Sequence, residues 1–482
     1  MKIAFIFSLT DAQPLPARPL QNQYQIQFGI SYISAVLKSH GHQTRLLLLS
    51  RETANYVDKF LEEFQPGLVC FTAVATEYPF IARIARKIKK NHPSIYILVG
   101  GPHVSLNPEQ AILDEFDAVC IGEGEYPTLE IVEQLEKSKK PSGIANLWIK
   151  HGTEVEKNPS HPFLQDLDSL PFPDREMWQE WIEPESKTKH SLLLGRGCPY
   201  LCAYCCNHAL RKLQYGNYVR FRSPENILYE LKRIVADFPK TEEIYLEIET
   251  FTANIKWAID VCALLENYNK SRCRPLSFGV NLRITTNTNI EPLVIALNKA
   301  NFTFVNVGLE SGSERVRREI LNRNYSNQNV IQAVNLLRKY GLKLNFFNLI
   351  GIPGETLADF QETIRVNREC QPDRNLLSIF FPYPGTDLYR VCEERKLLDH
   401  ICVNDFYLER TVAYLDLPEF PRKEIQRNYI WFEWYAYLGH KPIYKILAYV
   451  CARKIHTSYN LNRTYRKLTG HGMLKKLKDF IS

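Results

Sequence analysis

Gly195-Arg196-Gly197-Cys198-Pro199-Tyr200-Leu201-Cys202-Ala203-Tyr204-Cys205-Cys206-Asn207 is the stretch on whose reading the rest of the chain depends. Cys198, Cys202 and Cys205 are spaced C-x3-C-x2-C, with an aromatic residue directly before the third. Thiolates at that spacing can converge on three irons of a cubane cluster, leaving the fourth iron without a protein ligand. A cluster used only to pass electrons is normally closed by a fourth cysteine, whereas an open corner can hold a substrate or cofactor. Two other readings stand beside this one. Three buried thiols are the plainest, and short cysteine spacings also serve zinc, for which Cys206 or His208 would be the fourth ligand. Cys206 reads better as a packed thiol than as a ligand.

The motif resembles that of the radical S-adenosylmethionine (radical SAM) enzymes. The resemblance implies that SAM chelates the open iron through its amino and carboxylate groups. One electron from the cluster then cleaves SAM to a 5′-deoxyadenosyl radical, which takes hydrogen from an unactivated carbon.

Composition agrees without deciding. A chain of 482 residues with 45% hydrophobic and 23% charged residues should form two or three packed domains, not a disordered or fibrous protein. Twelve scattered cysteines show no small disulfide framework and, beside an oxygen-sensitive motif, read as reduced thiols of a cytoplasmic protein. No signal peptide is expected before the first strand, and no apolar run is long enough to span a bilayer. The net charge of +7 is mild.

Ahead of the cysteine loop, short apolar runs at 3–7, 44–49, 68–72, 95–99 and 118–121 read as strands, and 30–39 and 79–90 as helices. That rhythm predicts a parallel sheet with ligands at the carboxyl ends of its strands. Gly100-Gly101-Pro102-His103 follows one strand and Gly122-Glu123-Gly124-Glu125 another. Glycines there let a backbone approach a large flat ligand. With Phe28-Gly29-Ile30-Ser31-Tyr32-Ile33, the layout resembles the cobalamin (B12)-binding domain that precedes many radical SAM domains, over most of residues 1–145. On that resemblance Thr72, Ala73, Gly100, Gly101, Pro102, His103, Gly122, Glu123 and Gly124 are the expected cobalamin contacts. The D-x-H-x-x-G motif that gives cobalt a histidine ligand in many cobalamin proteins is missing, so the lower cobalt face should lack that histidine. His103 is expected to make a polar loop contact instead.

Residues 146–190, with several prolines and little periodicity, read as a linker wrapped over the surface. From 191 a second α/β rhythm follows, with strands at 191–194, 243–248, 276–283, 304–309, 343–350 and 376–381. Ser223-Pro224-Glu225 is a helix start before the periodic run 227–238. The expected fold class is therefore α/β: an N-terminal Rossmann-like cobalamin-binding domain, a partial (β/α)6 TIM-like radical SAM barrel at 191–390, and a C-terminal helical region at 391–482.

The resemblance carries SAM contacts onto the barrel's strand ends. Glu249 stands where the family often has paired carboxylates, here Ile248-Glu249. Arg283 could pair with the SAM carboxylate through its planar fork. Glu310-Ser311-Gly312 resembles the family's E-S-G segment. Gly351-Ile352-Pro353-Gly354-Glu355 resembles its adenine-side turn, read through backbone groups at Gly351, Ile352 and Gly354. Tyr204 would meet the adenine.

The last part reads as helices rich in aromatics, such as Tyr429-Ile430-Trp431-Phe432-Glu433-Trp434-Tyr435, forming either a buried cap or an apolar substrate pocket. From Lys441 onward lysines and arginines face a single acid, Asp479, which suits a solvated face or contact with an anionic surface such as membrane headgroups or nucleic acid, the solvated face being the commoner case. Nothing resembles a nucleic-acid module, so no nucleic-acid partner is expected.

The cofactors implied are a [4Fe-4S] cluster, SAM and cobalamin, with an external one-electron reductant of flavodoxin or ferredoxin type. The activity implied is methylation of an unactivated carbon or phosphorus, through the 5′-deoxyadenosyl radical and methylcobalamin. The alternatives are cyclisation, ring rearrangement or hydroxylation without methyl transfer, methylthio transfer, and a non-catalytic corrinoid or iron-sulfur sensor. Residues give no reading of the catalytic groups or of the substrate beyond a slight tilt towards an apolar small molecule.

Overall fold

The computed structural model describes the chain except residues 10–18, 21, 52, 184–186, 287–288, 399–408, 459, 463 and 466–482. It divides into two compact units: Met1–Tyr200 with Cys205–Glu249 and Tyr383–Thr386, and Leu201–Tyr204 with Thr250–Pro382 and Asp387–Ser482.

In the first unit a seven-stranded sheet is built from β1 (Lys2–Ser8), β2 (Gln43–Leu49), β3 (Leu68–Thr72), β4 (Tyr96–Gly100), β5 (Ala118–Cys120), β6 (Leu147–His151) and β7 (Glu154–Lys157). Its order is β2-β1-β3-β4-β5-β6-β7. The first five strands run parallel, in registers such as Phe71↔Val99 and Leu98↔Ala118. They are near-continuous apolar runs because both faces are covered. On one face Val69, Ile97 and Val119 pack with Ile81 and Ile88 of α3 (Tyr78–Asn91). On the other Phe5, Leu48 and Leu98 pack with Val36 of α1 (Phe28–Ser39) and Ile131 of α6 (Glu125–Glu136). Three further helices, α2 (Tyr56–Phe64), α4 (Pro102–Leu106) and α5 (Pro108–Ala111), complete the crossovers.

Two features depart from the sequence reading. The stretch read as a surface linker begins instead with β6 and β7, which extend the sheet antiparallel. They are short and their outward positions are charged, so the alternation is too brief to register. Trp178, further along that stretch, is fully buried in the core and donates from Nε1 to Ser31 Oγ at 2.8 Å. The second departure is α2, whose Val57, Phe60 and Leu61 carry an i, i+3, i+4 signal that the sequence reading passed over.

The unit continues through β8 (Lys189–Leu193), β9 (Gly195–Arg196), α7 (Asn207–Leu210), β10 (Arg220–Phe221), α8 (Pro224–Asp237) and β11 (Glu243–Glu247). β8 pairs with β11 in parallel, and β9 with β10 antiparallel. Ser223 caps α8 by accepting from the Asn226 amide at 3.1 Å, as expected.

The second unit holds four adjacent parallel strands, β12 (Ser277–Leu282), β13 (Phe302–Glu310), β14 (Lys343–Ile350) and β15 (Arg374–Ile379). All six strands expected for the barrel thus form, two in one unit and four in the other. The last begins two residues before its expected start. α9 (Ile255–Lys270), α10 (Glu291–Lys299), α11 (Asn327–Lys339) and α12 (Leu357–Cys370) connect them, the last two opened by capping boxes at Ser326/Asn329 and Thr356/Asp359. On the less buried face of these strands Asn345 donates to Asn306 at 2.9 Å and Asn306 to Asn281 at 3.1 Å, a side-chain chain across three strands.

After α13 (Asp387–Glu394), α14 (Arg422–Tyr437) and α15 (Ile443–His456) close the unit. Of the two readings of the aromatic helix, the buried cap describes three of its six rings, while Trp431 is exposed and Trp434 and Tyr435 are half-buried. Tyr429, Phe432 and Tyr437 are buried with Leu377 and Ile379 of β15, and Phe432 lies 5.9 Å from Phe360 of α12. The Glu433 carboxylate inside this cap is paired with Arg453 of α15, whose guanidinium sits 4.6 Å over the Tyr429 ring. The basic tail lies outside the described residues from 466 on.

Candidate active site

In the first unit the cysteine loop leaves β8 through β9. A Cβ on Gly195 would lie 2.5 Å from the Arg220 carbonyl oxygen, and one on Gly197, at φ +83°, 2.2 Å from that of Tyr218. No side chain fits either position, so the two glycines hold the loop against β10. Cys198, Cys205 and Cys206 are half-buried and outside any disulfide. Asn207 donates from Nδ2 to Cys205 Sγ at 3.6 Å and accepts from the Tyr218 hydroxyl at 2.6 Å, which fixes the amide's orientation. The Cys206 hydrogen bond and the Asn207 donors outweigh burial and hold the Cys205 thiol down to about 7. Cys206 is pushed up by the same bond and by burial, which suits a packed thiol. The alternation of β11 puts Glu247 on the same face as Glu249. Burial, then the Glu249 charge, pushes Glu247 up to about 7. The Ile248-Glu249 pair is thus matched by a second carboxylate one strand repeat earlier, a partner that i, i+2 spacing could have revealed.

In the second unit the loop's central part is pinned by backbone bonds from the Ala203 amide to the Leu321 carbonyl at 3.2 Å and from the Leu388 amide to the Ala203 carbonyl at 3.0 Å. Cys202 is buried, and Arg283 Nη1 lies 2.8 Å from its sulfur. Thiolate is the form in which a cysteine ligates iron. Among the described residues no three His, Cys, Asp or Glu side chains are grouped to share one metal ion.

Around Tyr204 the structure builds a buried network absent from the sequence reading. Arg323 Nη1 donates to the Tyr204 hydroxyl at 2.8 Å and to Glu310 Oε1 at 3.0 Å, and Nη2 donates to the Gly308 carbonyl at 2.7 Å. Glu310 sits at φ +60°, beside a register shift between β13 and β14. A non-glycine residue in the left-handed region is strained and persists only where surroundings fix it. Here the fixing contact is Arg323. A Cβ on Gly308 would come within 2.3 Å of Glu310 Oε1, which accounts for that glycine.

Several expected contacts are spoken for. Ser311 is fully buried, its hydroxyl lying 3.4 Å from Thr363 Oγ1 and accepting from the Ser313 amide at 3.2 Å, so it holds α12 and offers no side chain to a ligand. The amides of Gly351 and Ile352 donate to Glu355 Oε2 at 2.7 and 3.2 Å, and the Gly354 carbonyl accepts from Arg315 at 2.9 Å. The glycine-proline turn is therefore closed on its own glutamate. Burial, the dominant effect, pushes the Glu355 carboxyl up to about 8.

Gly312 decides the fit of α12. A Cβ there would stand 2.3 Å from the Glu362 carbonyl oxygen and 2.5 Å from Thr363 Cα, all backbone. Gly312→Ala should therefore destabilise the protein by about 3 kcal/mol or more through helix displacement, read as a lowered thermal midpoint.

The expected cobalamin residues divide similarly. The order β2-β1-β3-β4-β5 changes direction between β1 and β3, and crevices at such points take ligands. Thr72 and Ala73 end β3 there. Gly101, at φ +102°, fits only as glycine, since a Cβ would lie 2.7 Å from the Ala73 nitrogen. The Ala73 amide donates to the Gly100 carbonyl at 2.9 Å, and Pro102 and His103 start α4. His103 is not a loop contact: it is buried, with its ring 4.6 Å from that of Tyr78. Burial pushes it down to about 4. Its neutral form belongs to the folded state, so this contribution is complete above pH 6.5 and is lost as pH falls towards 4, a loss of about 3 kcal/mol. Thermal unfolding of wild type and His103→Phe should accordingly diverge in that window, with wild type losing more stability.

Glu123 also departs from expectation. Although burial pushes its carboxyl up, Arg196 and Arg220 outweigh that effect and hold it low, through bonds of 2.9 and 2.8 Å to Oε1. The Leu164 amide takes Oε2 at 2.8 Å. Gly122 at φ +84° is covered by Gln214, whose Oε1 would lie 2.3 Å from a Cβ, and the Gly122 amide donates to Ser105 Oγ at 3.0 Å. Gly124 is backed by Ile33 and Cys120. Glu123 therefore ties β5 to β9 and β10.

Comparison with known proteins agrees with both halves. The radical SAM superfamily model matches residues 192–366 and the B12 binding domain model residues 22–132. An uncharacterized methyltransferase of Pyrococcus horikoshii is 29% identical over 378 residues, covering 77% of this chain and 79% of the relative. The anaerobic magnesium-protoporphyrin IX monomethyl ester cyclase of Rubrivivax gelatinosus is 24% identical, covering 78% of this chain and 67% of the cyclase. Among solved structures, the radical SAM methyltransferase TsrM from Kitasatospora setae, with cobalamin and a [4Fe-4S] cluster bound, superposes with a TM-score of 0.64 at 15% identity, over 82% of this chain and 78% of TsrM. Cysteine loop, strand ends and both matched domains lead to one assignment: the chain belongs to the radical SAM enzymes that carry a B12-binding domain.

Proposed function

We propose that this enzyme methylates an unactivated carbon, or phosphorus, of a small apolar molecule, using a [4Fe-4S] cluster, SAM and cobalamin. The observation that carries the reading is one chain in which the three-cysteine loop follows β8 and a B12-binding domain precedes it. When bound, the cluster supplies the electron that cleaves SAM, and cobalamin carries the methyl group. Cys198, Cys202 and Cys205 would hold the cluster. The lowered Cys205 thiol and the Arg283 contact with Cys202 fit thiolate ligation. Half-buried Thr72, Gly100 and Gly101, at the ends of β3 and β4, would meet a corrin edge.

The remaining roles belong to this chain's side chains. Tyr204 and Glu310, locked by Arg323, would position SAM, with Arg283 as the carboxylate partner and Glu249 as a further polar contact. An apolar floor for the substrate is supported by the register Gly308↔Phe347↔Leu376, in which Leu376 is 47% exposed despite lying in a strand. The reductant is proposed to be a flavodoxin or ferredoxin, and the setting cytoplasmic. No described helix is long and apolar enough to cross a membrane. The basic tail is proposed to contact an anionic membrane surface.

The cyclase relative favours a second reading, ring formation without methyl transfer. One assay separates the two. The reconstituted enzyme, reduced in the presence of substrate candidates, should yield S-adenosylhomocysteine together with 5′-deoxyadenosine. Turnover that gives only 5′-deoxyadenosine would replace methyl transfer with the second reading.

A further inference from the structure

α15 has the sequence IYKILAYVCARKIH, ten apolar residues among four basic ones and without an acid. The apolar residues of a surface helix normally form one stripe facing the core. Yet only Ile446 and Val450 are buried, against the cap formed with α14. Ile443 is 56% exposed, Tyr444 57% and Leu447 42%, and Cys451 is exposed as well. Residues 443, 447 and 451 recur every four positions and form one outward stripe. Leu438, in the turn before the helix, is 38% exposed. Lys454 continues the stripe beyond Cys451, Lys445 lies on another side of the helix, and both are exposed.

We infer that this face of α15 lies on an anionic lipid surface, with Ile443, Leu447 and Cys451 in the headgroup boundary and Lys454, at the end of the stripe, reaching phosphates. At 14 residues the helix is about 21 Å long and cannot span a hydrocarbon core of roughly 30 Å, so it lies along the interface. Charge selects lipid over a second copy of the chain. α15 carries the exposed Lys445 and Lys454 and no acid, so two copies of this helix would repel. The inference rests on the membrane part of the partner reading and is independent of the reaction catalysed.

The test uses the full chain, pelleted with vesicles of phosphatidylcholine alone or mixed with phosphatidylglycerol. Wild type should pellet with the anionic vesicles, be released in part by high salt, and stay in solution with neutral ones. Ile443→Glu combined with Leu447→Glu should abolish pelleting while SAM cleavage continues, which shows that the variant is folded. Equal pelleting of variant and wild type, or none with anionic vesicles, would overturn the inference. So would a lipid-free dimer that the double substitution dissolves, because the face would then belong to a second copy. A chain ending at residue 465 that binds vesicles more tightly than the full chain would overturn it too, assigning the tail as the cover. Loss of SAM cleavage in wild type with vesicle binding intact would count against the proposed reaction alone.

Discussion

Cys202→Ala protein, reconstituted with iron and sulfide without oxygen, should fail to hold the roughly four irons expected of one cubane per chain, and should release no 5′-deoxyadenosine from SAM. The side chain is buried, and its sulfur is the atom facing Arg283 Nη1 at 2.8 Å. Removing it leaves two thiolates for the cluster and takes the sulfur from a guanidinium arranged around it. Cys206→Ala is the informative control. Cys206 donates to Cys205 and is pushed up by that bond and by burial, so its loss should leave iron content near wild type. A Cys206→Ala protein without iron, beside a Cys202→Ala protein that keeps it, would reassign the ligand set.

Arg323→Met should be the most damaging change away from the cysteines. It leaves Glu310 buried without its cationic partner, and breaking a buried pair from one side costs about 3–5 kcal/mol. It also strips the Tyr204 hydroxyl and the Gly308 carbonyl of a donor. The left-handed backbone at Glu310 would lose the contact that fixes it, so SAM binding should weaken together with thermal stability. Adding Glu310→Gln to Arg323→Met removes the orphaned charge and should recover part of the stability but not SAM affinity. Equal midpoints for the single and double variants would show that the ion pair does not govern this region.

Asn207 and Tyr218 act on the same loop through hydrogen bonds alone. Both could have been suspected from the sequence, since Asn207 directly follows the cysteines and Tyr218 stands just before β10. Neither offers a ligand of its own.

The sequence by itself determined what is carried by neighbours along the chain. The cysteine spacing, the apolar strand runs, the serine-proline start of α8 and the glycines after β4 and β5 are local patterns, and local geometry follows from them. Partners distant in sequence were decided only by the tertiary structure. Glu123 meets Arg196 and Arg220 across 73 and 97 positions, and Arg323 meets Tyr204 across 119. Any acid and any arginine carry the same pattern until folding places them together. Burial worked the same way. Ser311 and the Gly351 and Ile352 amides match a family motif letter by letter, yet packing against α12 and the return of Glu355 settled which polar atoms were left to face a ligand. Residue type fixes what a group can bind, and only the fold fixes what has already bound it.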